Sequence, residues 1–170
     1  ATDALLIVGA GGVGLSGIRL ARELFPDVKI VVAELDQGKW ELAREAGANE
    51  VIDPTAEGAA KALIKGSGGG VAAAVDFVGA GATFAFAFGA LRKAGKLVCV
   101  GLFGGATPLV PAMVSMKAVS VIGSYVGSLC EMQELMAIAK DGSLPNLPLT
   151  SQPLATATDA LADLRAGRIR

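Results

Sequence analysis

The sequence predicts an α/β fold: a doubly wound parallel sheet of six strands with a C-terminal helical extension. Three observations lead there. Short apolar runs alternate with helical stretches along most of the chain. The first run is continuously apolar, as in a strand buried on both faces. A glycine-rich loop joins that run directly to the first helix. Strands separated by helices are connected by right-handed crossovers, which make a parallel sheet.

Each element can be justified in order. Ala4–Val8 (ALLIV) is the first strand, closed by glycines. Between Gly12 and Phe25 the period changes: Gly14, Ile18, Ala21 and Phe25 fall on one helical stripe, and Pro26 stops the helix. Val28–Ala33 is the second strand, and Asp36 is placed to cap a helix carrying Trp40, Ala43 and Gly47. Asn49–Ile52 gives a short strand before Asp53-Pro54. Thr55–Lys65 reads as a helix, Gly66–Gly70 (GSGGG) as a turn, and Val71–Val78 as the fourth strand. A helix over Thr83–Leu91, a strand at Leu97–Val100, a short helix near Ala112–Lys117 and a strand at Val119–Ile122 complete the alternation. Six strands in two halves imply the order 3-2-1-4-5-6 of the Rossmann arrangement. In the tail, Leu129, Met132, Met136 and Ala139 mark a helix. Leu144–Pro153 is an extended, proline-interrupted stretch, and Thr158–Ala166 is a last helix ended by Gly167. No linker interrupts the chain, so residues 1–126 are read as the sheet core and 127–170 as its helical extension.

Composition narrows the chemistry. The 170 residues carry 15 basic and 16 acidic side chains, a net charge of -1 that leaves no basic footprint for nucleic acid. With 52% apolar but 5% aromatic residues, the core must be mostly Ala, Val, Leu and Ile. The absence of histidine excludes a Ser-His-Asp triad, a His-paired cysteine and a His-containing metal site within this chain. Cys99 and Cys130 form no CxxC pair, and Cys99 sits in an apolar run as a small hydrophobe would. No disulfide scaffold is suggested, which favours a reducing, cytoplasmic setting. No run approaches the ~20 apolar residues that span a membrane. The first residues enter an apolar strand without a signal-peptide pattern, so the chain reads as cut at a domain edge.

Gly9, Gly11 and Gly14 spell GxGxxG between a strand and a helix, and Glu34 follows 20 residues after Gly14 at the end of the second strand. That is the context a dinucleotide fingerprint requires. Gly9 permits the tight turn, Gly11 lets the backbone approach a pyrophosphate, and Gly14 lets the helix pack closely on the sheet. The helix N-terminus attracts the phosphates. A carboxylate at Glu34 can accept the adenosine ribose hydroxyls and would repel a 2′-phosphate. No arginine occupies the next three positions, so NAD(H) is favoured over NADP(H). Lys39 either reaches the ribose or is a solvated charge. GSGGG precedes a strand and presents no helix N-terminus, so a plain turn is the better reading.

With these residues in hand, the chain resembles the cofactor-binding domain of the medium-chain dehydrogenase/reductase family, in its zinc-containing alcohol dehydrogenase branch. The matching segments are LLIVGAGGVGL (5–15), VVAELDQGKWELAREAGANEVID (31–53), VDFVGA (75–80), ALRKAGKLVCVGL (90–102), IGSYVGS (122–128) and DALADLRAGRIR (159–170). The resemblance implies that Gly9, Gly11, Gly12, Val13 and Gly14 hold the pyrophosphate of NAD, and that Glu34 and Lys39 hold the adenosine ribose. It implies Phe77 and Val78 on the adenine side, Val100, Gly101 and Leu102 at the nicotinamide, and Ser124, Tyr125 and Val126 near the carboxamide. The family more commonly has Asp where this chain has Glu34. The resemblance further implies a homodimer or tetramer through the last strand, Val119–Val126. It also implies a separate N-terminal catalytic domain that holds zinc and most of the substrate pocket, with no catalytic residue and no metal ligand in this chain. On that reading the chain alone is inactive and its parent is an NAD-dependent alcohol dehydrogenase. A stand-alone NAD(H)-binding or sensing module and the cofactor domain of a zinc-free quinone-type reductase are the alternatives. A P-loop is excluded, since GxxxxGK[ST] is missing. The Tyr-x-x-x-Lys of short-chain dehydrogenases is missing too, because Leu129 stands four residues after Tyr125.

Overall fold

The computed structural model describes residues 3–142, 144 and 149–169. Among these residues six parallel strands form one sheet in the order β3-β2-β1-β4-β5-β6, the order expected from the sequence. The strands are β1 (Ala4–Val8), β2 (Lys29–Ala33), β3 (Glu50–Ile52), β4 (Val71–Asp76), β5 (Leu91–Cys99) and β6 (Ser120–Gly123). The helices are α1 (Gly12–Leu24), α2 (Trp40–Glu45), α3 (Ala59–Gly66), α4 (Gly81–Ala90), α5 (Pro111–Lys117), α6 (Leu129–Asp141) and α7 (Ala157–Arg165). The part of the expected Leu144–Pro153 stretch at 145–148 lies outside the described residues.

Alternate residues of the central strands feed two apolar clusters. Leu6, Val8, Val31, Ala74 and Leu97 pack with Leu63, Ala87 and Ala90 on one side. Ile7, Ile30 and Val32 pack with Leu15, Ile18, Ala43 and Ala46 on the other. Both faces of the central strands are therefore covered, which is why β1 and residues 30–33 of β2 read as unbroken apolar runs rather than alternating ones.

Several boundaries differ from the sequence reading: α2 stops at Glu45, short of Gly47, α3 takes in Gly66, and α4 runs from Gly81 to Ala90, two residues earlier than expected. The third helix begins at Ala59 instead of Thr55, because the Asp53 carboxylate accepts both the N–H (2.8 Å) and the hydroxyl (2.6 Å) of Thr55. That local turn competes with helix initiation, and Gly58 then enters the helix from a left-handed conformation. The fifth strand starts at Leu91 instead of Leu97, with a register irregularity opposite Val71–Ala73. Ala94, at φ 58, lies inside this strand among polar residues that gave no strand pattern. The fourth strand ends at Asp76, two residues before Val78.

Beyond Cys99 the packing thins. β6 lies at the sheet edge, pairs on one side with β5, and is exposed throughout. No residue of α6 or α7 is buried.

Candidate dinucleotide site

In a parallel sheet every strand delivers its following loop to the same edge, and ligands bind there at the point where the strand order reverses. That point lies between β1 and β4. Gly9–Gly14 follow β1, Glu34 follows β2, Phe77 and Val78 follow β4, Val100–Leu102 follow β5, and Ser124–Val126 follow β6. The fold thus gathers the sequence-predicted residues along one edge; Lys39 lies a few residues further on, at the entry to α2.

The glycine loop shows three distinct constraints. Gly9 has φ +92, a left-handed value that strains other residues, and its N–H donates to Ala33 O at 2.9 Å. A methyl group on Gly14 would overlap the Gly9 carbonyl, so this glycine is fixed by helix–strand contact. At Gly11 and Gly12 the added methyl would meet nothing within 4 Å. No protein packing demands glycine there, and the open space fits a group lying against the backbone. The start of α1 is also unobstructed: Gly11 is the N-cap without a side-chain hydrogen bond, and the first turn carries no acidic residue. A helix of 13 residues so presented favours an anion at its free N–H groups. The loop, the open cradle and the carboxylate at the end of β2 therefore fit a dinucleotide.

Glu34 is partly buried and held on every side. Its N–H donates to Ile52 O (3.0 Å) and its carbonyl accepts from Trp40 Nε1 (3.0 Å). Its carboxylate accepts from the N–H groups of Ala10 (2.7 Å) and Asp36 (2.9 Å). Asp36 caps a single 3-10 turn, Gln37–Lys39, by accepting from Gly38 N–H at 2.9 Å. It also lies 3.9 Å from Lys39 Nζ. The Asp36 cap thus falls on this turn and not on α2, whose N-cap is Lys39 without a side-chain hydrogen bond, and Lys39 is neighbour to an acid rather than an isolated charge.

The β4 and β5 loops meet closely. A methyl on Gly79 would overlap Gly101, and one on Gly101 would overlap Val78. Phe103 N–H donates to Val78 O (3.0 Å) and Gly104 N–H to Gly79 O (2.9 Å), zipping the two loops together. A small cleft of about 190 Å³ opens beside them, lined by Asp76, Gly79, Ala80, Phe84, Cys99 and Gly101. Burial, with the nearby Asp76 carboxylate, pushes the Cys99 thiol above its ordinary range. Ser124 is tied to β5 through its N–H to Cys99 O (2.9 Å), while Leu102, Tyr125 and Val126 are largely exposed.

Phe77 has a packing role that the resemblance did not imply. A methyl on Gly17 would come 2.6 Å from its ring, so the ring lies against α1. It lines a cavity of about 560 Å³ between α1 and α6. Asp76 was not singled out from the sequence, yet it organises the β4 loop. Fully buried, it accepts from Val78 N–H (2.9 Å), Gly79 N–H (3.0 Å) and the Thr83 hydroxyl (2.8 Å). Its sequence signal is a lone carboxylate within an apolar strand, which must find buried donors. Among the described residues no three Cys, Asp or Glu side chains converge as a metal would require. These residues do not fit a zinc ion.

Residues 12–141 match the family model described as zinc-binding dehydrogenase. The chain is 31% identical over 163 residues to an alcohol dehydrogenase of Geobacillus stearothermophilus, covering 96% of this chain and 47% of that protein. It is 29% identical to a NAD-dependent alcohol dehydrogenase of Saccharolobus solfataricus, covering 96% and 47%. Among solved structures, the alcohol dehydrogenase of Aeropyrum pernix superposes with a TM-score of 0.88 at 30% identity, over 98% of this chain and 48% of that one. The chain spans about half the length of the curated relatives it matches.

Proposed function

The chain belongs to the zinc-binding dehydrogenase family, and from that premise we propose that it is the cofactor-binding half of an NAD-dependent alcohol dehydrogenase. One observation carries the reading above others: a glycine loop open at Gly11 and Gly12, facing a carboxylate fixed at the end of β2. Relatives named as NAD-dependent alcohol dehydrogenases support it. Gly9–Gly14 and the α1 N-terminus would hold the diphosphate, and Glu34 the adenosine ribose. The zipped β4 and β5 loops would form the floor of the nicotinamide end. Held there, NAD+ would supply a hydride acceptor for oxidation of an alcohol, which would lose a hydride from carbon and a proton from its hydroxyl to become a carbonyl.

The role proposed for this chain's own residues is to bind and orient the cofactor; among the described residues no Cys, Asp or Glu cluster converges to hold a metal that would polarise the alcohol oxygen. Zinc and the alcohol pocket are proposed to belong to a catalytic half outside this chain. A second copy is proposed to pair along β6, whose outer edge is free among the described residues and carries the exposed Val121 and Ile122. The two free thiols favour a reducing, cytoplasmic compartment. Among the described residues no helix is long and apolar enough to cross a membrane.

Calorimetric titration of the 170-residue chain with NAD+ and NADP+ tests the proposal, together with an alcohol turnover assay. The expected result is tighter binding of NAD+ and no turnover. Tighter binding of NADP+ would overturn the role of Glu34, and turnover by this chain alone would overturn the division of labour.

A further inference from the structure

We propose that Glu34 is also a positioning residue for the glycine loop, so that ribose and diphosphate recognition share one side chain; this rests on the dinucleotide reading of the site. A ribose acceptor on a flexible stem would project freely from the end of β2. Glu34 does not. Its Oε2 accepts from Ala10 N–H at 2.7 Å and its Oε1 from Asp36 N–H at 2.9 Å. Ala10 is 1% exposed and lies between the left-handed Gly9 and the open Gly11. A donor in that position is costly to leave unpaired, and a carboxylate is a stronger acceptor than a neutral group.

The base of the strut is itself fixed. The Glu34 backbone bonds to Ile52 on one side and to the Trp40 indole on the other, and the neighbouring Ala33 carbonyl accepts from Gly9 N–H. The loop is therefore stitched to the end of β2 twice, once by backbone and once by the Glu34 carboxylate. Each carboxylate oxygen keeps a second lone pair, so both can accept ribose hydroxyls without releasing the loop. A carboxylate so anchored also cannot turn away from a 2′-phosphate.

The two roles separate with a ligand that lacks the ribose hydroxyls. Affinities of ADP and 2′,3′-dideoxy-ADP are measured for the wild-type chain, Glu34→Ala and Glu34→Gln, alongside amide hydrogen exchange of the free proteins. Glu34→Ala is expected to weaken dideoxy-ADP about tenfold and ADP by more, with faster exchange at Ala10 N–H. Glu34→Gln keeps the shape but sets an NH2 against one of the two backbone donors. It is expected to give a smaller loss in the same direction, and it serves if the alanine variant fails to fold. Unchanged dideoxy-ADP affinity in the variants overturns the proposal, leaving Glu34 a ribose acceptor only. If wild type binds neither nucleotide, the dinucleotide reading fails instead. Ala10 exchange then decides the strut by itself: faster exchange in the variants upholds it, and unchanged exchange overturns it.

Discussion

Residues 4–99 and residues 100–169 both carry apolar strands and helices, but they bury them very differently. Among the described residues, every buried hydrophobic side chain except Val119 lies between Ala4 and Leu97. The first region closes its own core, with α1 and α2 on one face of the sheet and α3 and α4 on the other. The second leaves Leu102, Phe103, Tyr125, Val126, Met132 and Leu161 exposed. The cradle for a dinucleotide thus stands on the packed region, where backbone positions are fixed. The residues expected at the nicotinamide carboxamide stand on the sparse one.

The largest expected effect tests this contrast directly. Leu6→Ala, in a fully buried position, should cost about 3–4 kcal/mol in denaturant unfolding, whereas Leu161→Ala on α7 should cost less than about 1 kcal/mol. Equal costs would break the comparison. Gly11→Ala sharpens it from the functional side. The added methyl meets no protein atom within 4 Å and the residue's φ of -75 suits alanine. Stability should change by less than about 1 kcal/mol, while NAD+ affinity, read by calorimetry, should fall tenfold or more. A smaller effect is expected at the two thiols. Cys99 is half-buried with its thiol pushed upward, and Cys130 is exposed. Near neutral pH, Cys130 should therefore react with iodoacetamide several-fold faster, as followed by mass spectrometry.

What the sequence made legible follows the same division. The run Ala4–Val8, the loop Gly9–Gly14 and the acid at Glu34 could be placed from pattern alone, because each is enforced locally by periodicity, turn geometry and spacing. The strand order followed from connection rules. Less was legible where long-range contacts decide. The ladder of β5 begins six residues early because β4 lies beside it, and Arg92, Lys93 and Ala94 carry no strand pattern. The link from Glu34 to Ala10 depends on one side-chain conformation across 24 residues of chain, and no spacing rule encodes it. Arg22 bonds to the carbonyls of Pro26, Val28 and Gly47 and to Asn49 Oδ1, fastening α1 to the β2 and β3 entries. In the sequence it reads only as a surface arginine on a helix. The exposure of the tail was not legible, because composition does not say which segment is left uncovered.

The most direct test of the account is a backbone amide chemical-shift map of the chain on addition of NAD+. The largest changes are expected at Gly9–Gly14 and Glu34, smaller ones at Val78 and Val100–Gly101, and none along α7. Changes centred on α6 and α7, with the glycine loop unmoved, would contradict it.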